Sequence, residues 1–177
     1  ETFFDVVSKD VDFNKLLAED LGVVLEETAD ILKKYSIPGM KVLQQRIPND
    51  EVNDEKHPNS WNYNIAAYTG THDSPTVKQW LNDVEDIQLQ FFNEYKKENK
   101  TLFDSDIWNF ISLVWESPCQ LAITTVQDLL ELDQEARFNI PGTQKGNWKW
   151  RIKDLELLNS PLDMVKELNI KNNRANV

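Results

Sequence analysis

The chain has 177 residues, 40% of them hydrophobic and six of them tryptophan, so it can bury a core as one domain or as a large part of one. Its formal net charge of −11 and its pI near 4.6 argue against nucleic acid and anionic membranes as partners, because like charges would repel. A neutral or cationic partner fits this charge better.

The only cysteine is Cys119, which has no partner for an internal disulfide and therefore fits a reducing compartment. The sequence shows no signal peptide, no apolar run of spanning length and no anchor motif. We therefore predict a cytoplasmic protein. The chain begins ETFFDVV without an initiator Met, which leads us to expect a fragment of a longer protein.

Short apolar runs alternate with longer amphipathic runs, a pattern typical of strands followed by crossover helices. KLLAED (Lys15–Asp20) predicts a first strand, and the helix predicted in VVLEETADILKKY ends at SIPGM (Ser36–Met40). GMKVLQQ predicts a second strand. A polar loop follows over Ile47–Asn64, and IAAYT (Ile65–Thr69) predicts a third strand.

The second half of the chain continues this alternation. SPTVKQWLNDV predicts a helix with Ser74 as its N-cap and Pro75 in its first position. Helix continues to about Lys97, and a further helix is predicted over residues 106–116. CQLAITTV (Cys119–Val126) predicts a fourth strand, and a second Ser-Pro pair at residues 160–161 predicts the start of a final helix.

Four parallel strands in this order fit either half of a (β/α)8 barrel or a small doubly wound sheet. A complete barrel usually needs about 250 residues, which is more than this chain has. The alternation of elements does not choose between the two architectures.

Polar residues follow each predicted strand, where the active sites of both architectures lie. Carboxylates can transfer protons and stabilise an oxocarbenium-like transition state, while amides and histidine bind hydroxyls and aromatic rings stack on sugars. The pattern therefore indicates a sugar site. Its polar members are Glu19, Asp20, Gln44, Gln45, Thr71, His72, Asp73, Gln127 and Asp128, and the aromatic residues near them in sequence are Trp61, Tyr68, Trp148 and Trp150.

The tryptophans near the predicted site and those on the predicted helices are expected in different environments. Trp148 and Trp150 alternate as in an extended segment, so one of them should face outward. Trp80, Trp108 and Trp115 lie on the inward faces of predicted helices and are expected in the core.

Other interpretations explain the same polar residues. Glu19 could lie in an ordinary solvated turn, Asp73 could cap the following helix, and His72 could be a packing residue. A metal site could combine Glu19, Asp20, His57, His72 and Asp73, but no HxxxH, HxH or CxxC spacing supports it. The chain has five glycines and no glycine-rich phosphate loop, which argues against a nucleotide site.

Five motifs in order resemble the carboxyl-terminal part of the 4-α-glucanotransferases, the amylomaltases or disproportionating enzymes of glycoside hydrolase family 77. The resemblance extends from about Leu16 to Ile152 and implies that the fold is the carboxyl-terminal half of a (β/α)8 TIM barrel. The motifs are AEDLG (Ala18–Gly22), IPGMKVLQ (Ile37–Gln44), YTGTHD (Tyr68–Asp73), QDLLELDQEARFNIPGT (Gln127–Thr143) and NWKWR (Asn147–Arg151).

The resemblance implies roles for individual residues. Glu19 of AEDLG matches the family's general acid/base. Asp73 of THD matches the carboxylate that binds the hydroxyls of the distorted sugar and stabilises the transition state, and His72 matches the histidine that binds the same sugar. Four further residues of the motifs are expected to bind substrate, namely Asp20, Gln44, Tyr68 and Asn139. The implied mechanism uses no metal and no organic cofactor.

Three departures from the family pattern matter. The chain has HPNSWNY (His57–Tyr63) where a PHNY-like segment is usual, and THDSP where THDND is commoner. The family's nucleophile aspartate belongs to an Arg-x-Asp motif upstream of Glu19, and the residues that precede Glu19 contain no such motif. We therefore expect residues 1–177 to be a partial catalytic barrel that lacks the nucleophile, and to be inactive and poorly folded when expressed alone.

The implied activity is the transfer of α-1,4-glucan segments between maltooligosaccharides, starch or glycogen by a retaining mechanism. Two alternatives remain open, an α-amylase-like hydrolase and a non-catalytic glucan-binding module.

Overall fold

The structure is a computed structural model that describes residues 2–22, 26–48 and 57–174. Three parallel strands form one sheet in the order β1 (Gly39–Val42), β2 (Ile65–Tyr68) and β3 (Leu121–Ile123). Val42 is paired with Tyr68, and Tyr68 with Ile123, so the three strands end together. The residues that follow the strands therefore emerge at one edge of the sheet.

Helices separate the strands, as the alternation predicted. The last helix begins one residue before the predicted Ser-Pro pair, and the helix predicted over residues 106–116 is found there. Residues 23–25 of the first predicted helix and residues 49–56 of the predicted polar loop lie outside the described residues. The α-helices are α1 (Thr2–Val7), α2 (Glu26–Tyr35), α3 (Leu43–Arg46), α4 (Val77–Asp83), α5 (Asp86–Lys97), α6 (Asp106–Glu116), α7 (Val126–Leu129) and α8 (Asn159–Lys171), and short 3-10 helices lie at Phe13–Lys15, Pro58–Ser60, Gln134–Ala136 and Leu155–Leu158.

Helix α6 lies at the centre of the core. Every residue from Ile107 to Trp115 is buried, because α4, α5, α8 and β3 all pack around this helix. The tryptophans expected in the core, Trp80, Trp108 and Trp115, are buried as predicted. Within the three described ranges, no helix combines the length and apolar character needed to cross a membrane.

The strand predicted over Lys15–Asp20 is absent from the sheet, and a side chain explains why. Ala18 donates a backbone hydrogen bond to the carbonyl of Pro38 at 2.8 Å, but the N–H of Met40 donates to the carboxylate of Asp20 at 2.6 Å. A side chain rather than a backbone carbonyl therefore satisfies Met40, and no ladder forms. Gly39 permits this contact, since a Cβ there would lie 2.6 Å from Asp20 Oδ2.

The second predicted strand is shorter than expected. Strand β1 ends at Val42, where its pairing with β2 also ends, and Leu43–Arg46 form a helical turn instead of continuing to Gln45. Gln44 is thereby turned into the protein interior.

The start of α4 also differs from the prediction. Its N-cap is Thr76, whose Oγ1 accepts a hydrogen bond from the N–H of Gln79 at 3.1 Å. Ser74 was the predicted cap, but its Oγ accepts from the N–H of Thr71 at 3.0 Å and is used in a turn before the helix. The helix consequently begins at Val77, two residues after Pro75.

Arg174 fastens the end of the described chain to the connection between α6 and β3. Its guanidinium donates hydrogen bonds to the carbonyls of Trp115 at 2.7 Å, Ser117 at 2.6 Å and Cys119 at 2.9 Å. Burial lowers the pKa of Arg174 below its ordinary value. The guanidinium satisfies carbonyls that the end of a helix leaves without an intrahelical donor.

Candidate active site

A cavity of about 290 Å³ opens at the edge where the three strands end. Its lining brings together groups that are far apart in sequence, including Glu19, Tyr68, Thr71, His72 and Thr125. Three of the predicted site residues, Glu19, Tyr68 and His72, therefore face the same space.

Tyr68 and Glu19 are coupled electrostatically across this cavity. Burial raises the pKa of the Tyr68 hydroxyl above its ordinary value, and the negative charge of Glu19 raises it further. The hydroxyl therefore stays protonated at neutral pH and can donate a hydrogen bond to a ligand. Glu19 itself is exposed.

His72 and Asp73 lie on a turn within the segment Thr69–Val77, which we call the His-Asp loop. His72 Nε2 is 3.4 Å from Asp73 Oδ1, and each side chain is nearly half exposed. Hydrogen bonds inside the loop shape the turn, from Ser74 N–H to the carbonyl of Thr71 at 3.1 Å and from Asp73 N–H to Thr71 Oγ1 at 3.3 Å. The turn presents the two functional groups side by side and open to a ligand.

Asp73 is held by two residues of the segment that follows α7. Asn139 donates a hydrogen bond from its side-chain amide to Asp73 Oδ1, and Arg137 donates to the carbonyl of Asp73 at 3.1 Å. Arg137 also donates to the carbonyl of Asn139 at 3.1 Å, which ties the two residues together. Among the described residues, none donates a hydrogen bond to Asp73 Oδ2, so this oxygen is the one that can accept from a ligand.

Trp148 packs against His72. The two ring centroids are 5.1 Å apart, and the Trp148 and Phe138 rings lie nearly perpendicular with their centroids 4.7 Å apart. The φ angle of Trp148 is +62°, a left-handed conformation that costs a non-glycine residue on the order of 1 kcal/mol, and its N–H donates to the carbonyl of Phe138 at 2.8 Å.

The aromatic predictions are therefore partly confirmed. Trp148 is 52% exposed and Trp150 is partly buried, so one of the pair faces outward as predicted, although a left-handed turn rather than an extended segment produces this arrangement. Trp61 is buried in the core and does not belong to the site.

A second cavity of about 470 Å³ adjoins the His-Asp loop. Thr71, His72 and Thr125 line both cavities, whereas Arg137 and Phe138 line the second and not the first. The His72 imidazole therefore stands between two adjoining spaces at the sheet edge.

Gln44 supports the His-Asp loop from the side of β1. Its Nε2 donates to the carbonyl of Pro75 at 3.1 Å, and it packs so closely on Gly70 that a Cβ there would lie 2.9 Å from this nitrogen. Its Oε1 is buried and accepts no hydrogen bond from any described residue. The substrate contact expected of Gln44 stays a prediction.

Asp20 lies at the amino end of β1, where its carboxylate accepts the hydrogen bond from Met40 described above. It borders a separate space beside α2 and not the cavity that Glu19 lines. Its expected role in substrate binding also stays a prediction.

Asp128 is a polar residue of the strand ends that turns inward. Asp128 is only 1% exposed. Its Oδ2 accepts a hydrogen bond from the hydroxyl of Thr69 at 2.8 Å, and its Oδ1 accepts one from the N–H of Val77 at 2.7 Å. Burial raises the pKa of this carboxyl above its ordinary value, and the hydrogen bonds from Val77 and Thr69 offset part of that rise. Gln127 is buried as well and donates to the carbonyl of Ala136 at 3.2 Å.

The proposed ligands of the rival metal site do not meet. The imidazole of His57 packs on Tyr95 with ring centroids 4.5 Å apart, and its Nε2 lies 3.5 Å from Glu98. In the part of the chain that the structure describes, no three His, Cys, Asp or Glu side chains are grouped so that they could hold a metal ion.

Sequence reasoning missed two groups that matter at this site. Arg137 stands in a quoted motif, but nothing in its neighbourhood shows that it will reach the carbonyl of Asp73. Thr69 reads as part of a strand, although its hydroxyl joins Asp128 to Thr124, with 3.0 Å between the two threonine oxygens. Both contacts depend on segments that are distant in sequence.

The buried carboxyl group predicts a pH effect on stability. Because the folded state raises the pKa of Asp128 above its unfolded value near 3.8, this group stabilises the protein fully below that value, and the stabilisation is lost as pH rises through the folded-state pKa. Asp128→Asn removes this titration. The free energy of unfolding of the Asn variant minus that of the unchanged protein should therefore rise with pH from about pH 4 up to the folded-state pKa of Asp128. Urea unfolding from about pH 4 to neutral pH, on a protein that carries this chain together with the rest of its barrel, measures this difference. A difference that is constant or falls over that range would contradict the assignment.

The family model described as 4-alpha-glucanotransferase, of glycoside hydrolase family 77, matches residues 1–158. The chloroplastic/amyloplastic 4-alpha-glucanotransferase of Oryza sativa is 38% identical over 151 residues, which are 85% of this chain and 25% of the rice protein. The 4-alpha-glucanotransferase of Clostridium butyricum is 33% identical over 170 residues, which are 93% of this chain and 34% of that protein.

The fold has a similar solved structure. The amylomaltase from Streptococcus agalactiae in complex with acarbose superposes with a TM-score of 0.82 at 28% sequence identity, over 90% of this chain and 32% of that one. The chain thus spans between a quarter and a third of the length of these relatives. On the family match and these identities, the chain belongs to the 4-alpha-glucanotransferase family, glycoside hydrolase family 77.

Proposed function

We propose that this chain supplies the general acid/base and one sugar subsite of a 4-α-glucanotransferase, which transfers α-1,4-glucan segments between glucan chains. The observation that carries the proposal is the meeting of Glu19, Tyr68 and His72 around one cavity, with Asp73 beside His72 on the same loop. Family membership supports the choice of reaction, because the relatives named above are 4-alpha-glucanotransferases.

The chemistry proceeds in two displacements at the anomeric carbon. In the first, the carboxylate of a nucleophile aspartate bonds to that carbon while the bond to the leaving glucan breaks, and Glu19 gives its proton to the departing oxygen. In the second, Glu19 takes the proton of an acceptor hydroxyl, whose oxygen bonds to the carbon and releases the nucleophile. The two inversions retain the α configuration. The nucleophile is part of this proposal. The family resemblance implies that it lies in a segment upstream of Glu19.

Asp73 and His72 act on the sugar between the two displacements. As the ring flattens and gains positive charge, Asp73 Oδ2 accepts a hydroxyl hydrogen bond that strengthens toward the transition state. The hydrogen bond from Asn139 holds the other oxygen, so the carboxylate need not reorient during the reaction. His72 binds the same sugar while its ring is held against Trp148.

The same proposal includes the architecture and the setting. We assign the three-stranded parallel sheet to the carboxyl-terminal half of a (β/α)8 TIM barrel. Two observations support this assignment: the three strands end at the same edge of the sheet, and the fold is similar to that of the Streptococcus agalactiae amylomaltase. Residues 1–177 are then part of one catalytic barrel. The buried, unpaired Cys119 supports a reducing compartment such as the cytoplasm.

The reaction class is tested with maltotriose, using a protein that carries this chain together with the nucleophile aspartate. Transfer predicts a ladder of products both longer and shorter than maltotriose, separated by chromatography, because an acceptor hydroxyl replaces water. Shortening alone would indicate the α-amylase-like hydrolase, and binding without any product would indicate the glucan-binding module. Either result would overturn the proposed activity.

The roles of the two carboxylates are tested with an activated donor, an α-glucosyl fluoride. Fluoride leaves without a proton, so Glu19→Gln should still form the covalent intermediate from the fluoride although it no longer uses ordinary glucans. Asp73→Asn should slow the intermediate from the fluoride too, because it weakens the transition state and not the leaving group. Rapid-quench measurement of the intermediate gives both rates. A Glu19→Gln variant that forms none, beside an Asp73→Asn variant at the unchanged rate, would show that the two roles are wrongly assigned.

A further inference from the structure

One buried carboxylate fastens both ends of the His-Asp loop. Asp128 Oδ2 accepts from the hydroxyl of Thr69, the first residue of the loop, and Oδ1 accepts from the N–H of Val77, its last residue. The segment that carries His72 and Asp73 is thus closed at its base by a single side chain.

Asp128 is itself held in place from β3. Its N–H donates to Thr125 Oγ1 at 3.1 Å as part of the N-cap of α7, and the hydroxyl of Thr69 also lies 3.0 Å from that of Thr124. The two ends of the His-Asp loop, Thr69 and Val77, are therefore held in place relative to the ends of both β2 and β3. Asp128 lines neither of the two cavities beside His72, so it has no path to a sugar bound there.

We infer that Asp128 is a positioning residue for glucan transfer, whose carboxylate fixes the His-Asp loop so that His72 and Asp73 meet the sugar in the reactive geometry. The inference rests on the proposed function for its reaction and on the hydrogen bonds above for its geometry. A displacement of about 1 Å in such groups lowers a rate by about a hundredfold.

The hydrogen bonds show which replacement preserves the loop. In Asp128→Asn, the side-chain oxygen can still accept from Val77, and the amide can donate to Thr69, whose hydroxyl then donates to Thr124. Asp128→Ala leaves the N–H of Val77 without an acceptor inside the protein, and the hydroxyl of Thr69 can then donate only to Thr124, so neither end of the loop remains bonded to residue 128.

Glu116 provides a matched structural control. Its carboxylate accepts from the N–H of Lys100 at 2.8 Å and of Thr101 at 3.0 Å, and from Ser112 Oγ at 3.1 Å, and none of these donors belongs to the His-Asp loop. Glu116→Ala therefore removes a comparable set of hydrogen bonds at a distance from the site.

The experiment measures kcat and KM for maltotriose transfer well below the melting temperatures of all variants, in the protein that carries the nucleophile. Asp128→Ala should lower kcat by about tenfold to a hundredfold with a smaller change in KM, Asp128→Asn should restore most of the loss, and Glu116→Ala should lower the melting temperature while kcat stays within about twofold. An Asp128→Ala variant with unchanged kcat, or a loss of kcat in Glu116→Ala as large as in Asp128→Ala, would overturn the inference.

Amide hydrogen exchange of the His-Asp loop separates this inference from the proposed function. Exchange over residues 69–77 should be faster in Asp128→Ala than in either Asp128→Asn or Glu116→Ala, with no substrate present. If the unchanged protein transfers no glucan, the proposed activity fails, and the exchange rates still decide whether Asp128 holds the loop. Equal exchange in all variants would overturn the positioning role.

Discussion

The carboxylate of Asp128 joins the start of a helix to the ends of two strands of the sheet. Through Thr69 it contacts the end of β2, through Val77 the start of α4, and through its own place in α7 the end of β3. Placing a charge at 1% exposure is unfavourable, as the raised pKa of the group shows, and the hydrogen bonds that it accepts offset that cost. As a result, both ends of the His-Asp loop are hydrogen-bonded to the same side chain.

The rest of the site is built outward from that fixed loop. The short turn at Thr71–Ser74 orients His72 and Asp73, the amide of Asn139 holds one oxygen of Asp73, and Trp148 packs on the ring of His72. Glu19 reaches the same cavity from a segment that does not join the sheet. A site of this kind separates its tasks, because buried groups fix positions and exposed groups remain free to bind and to exchange protons.

From the second predicted strand onward, the sequence predicted the alternation of strands and helices and the residues that follow each strand. Helices between the strands favoured a parallel sheet, so the residues after each strand were expected to meet at one edge, and the apolar residues of α6 were expected to face inward. The first predicted strand failed because Asp20, rather than a backbone carbonyl, accepts the hydrogen bond from Met40. No local pattern distinguishes these two acceptors.

The direction in which a strand-end side chain points was also beyond the sequence. Glu19 and Asp128 both follow predicted strands, yet one is exposed at a cavity and the other is buried under the loop. The difference comes from two hydrogen-bond donors, Thr69 at the end of β2 and Val77 at the start of α4, and such partners are known only when the chain is folded. The Ser74 hydroxyl gives a second example at short range. The helix pattern predicted that it caps α4, but it accepts a hydrogen bond from the N–H of Thr71 in the preceding turn.

The most direct test of the whole account is a crystal structure of the Glu19→Gln protein with a maltooligosaccharide bound. The account predicts one glucose ring whose hydroxyls lie within about 3 Å of Asp73 Oδ2 and of the His72 imidazole, with the side chain at position 19 beside the glycosidic oxygen. A bound glucan that touches neither His72 nor Asp73 would contradict it.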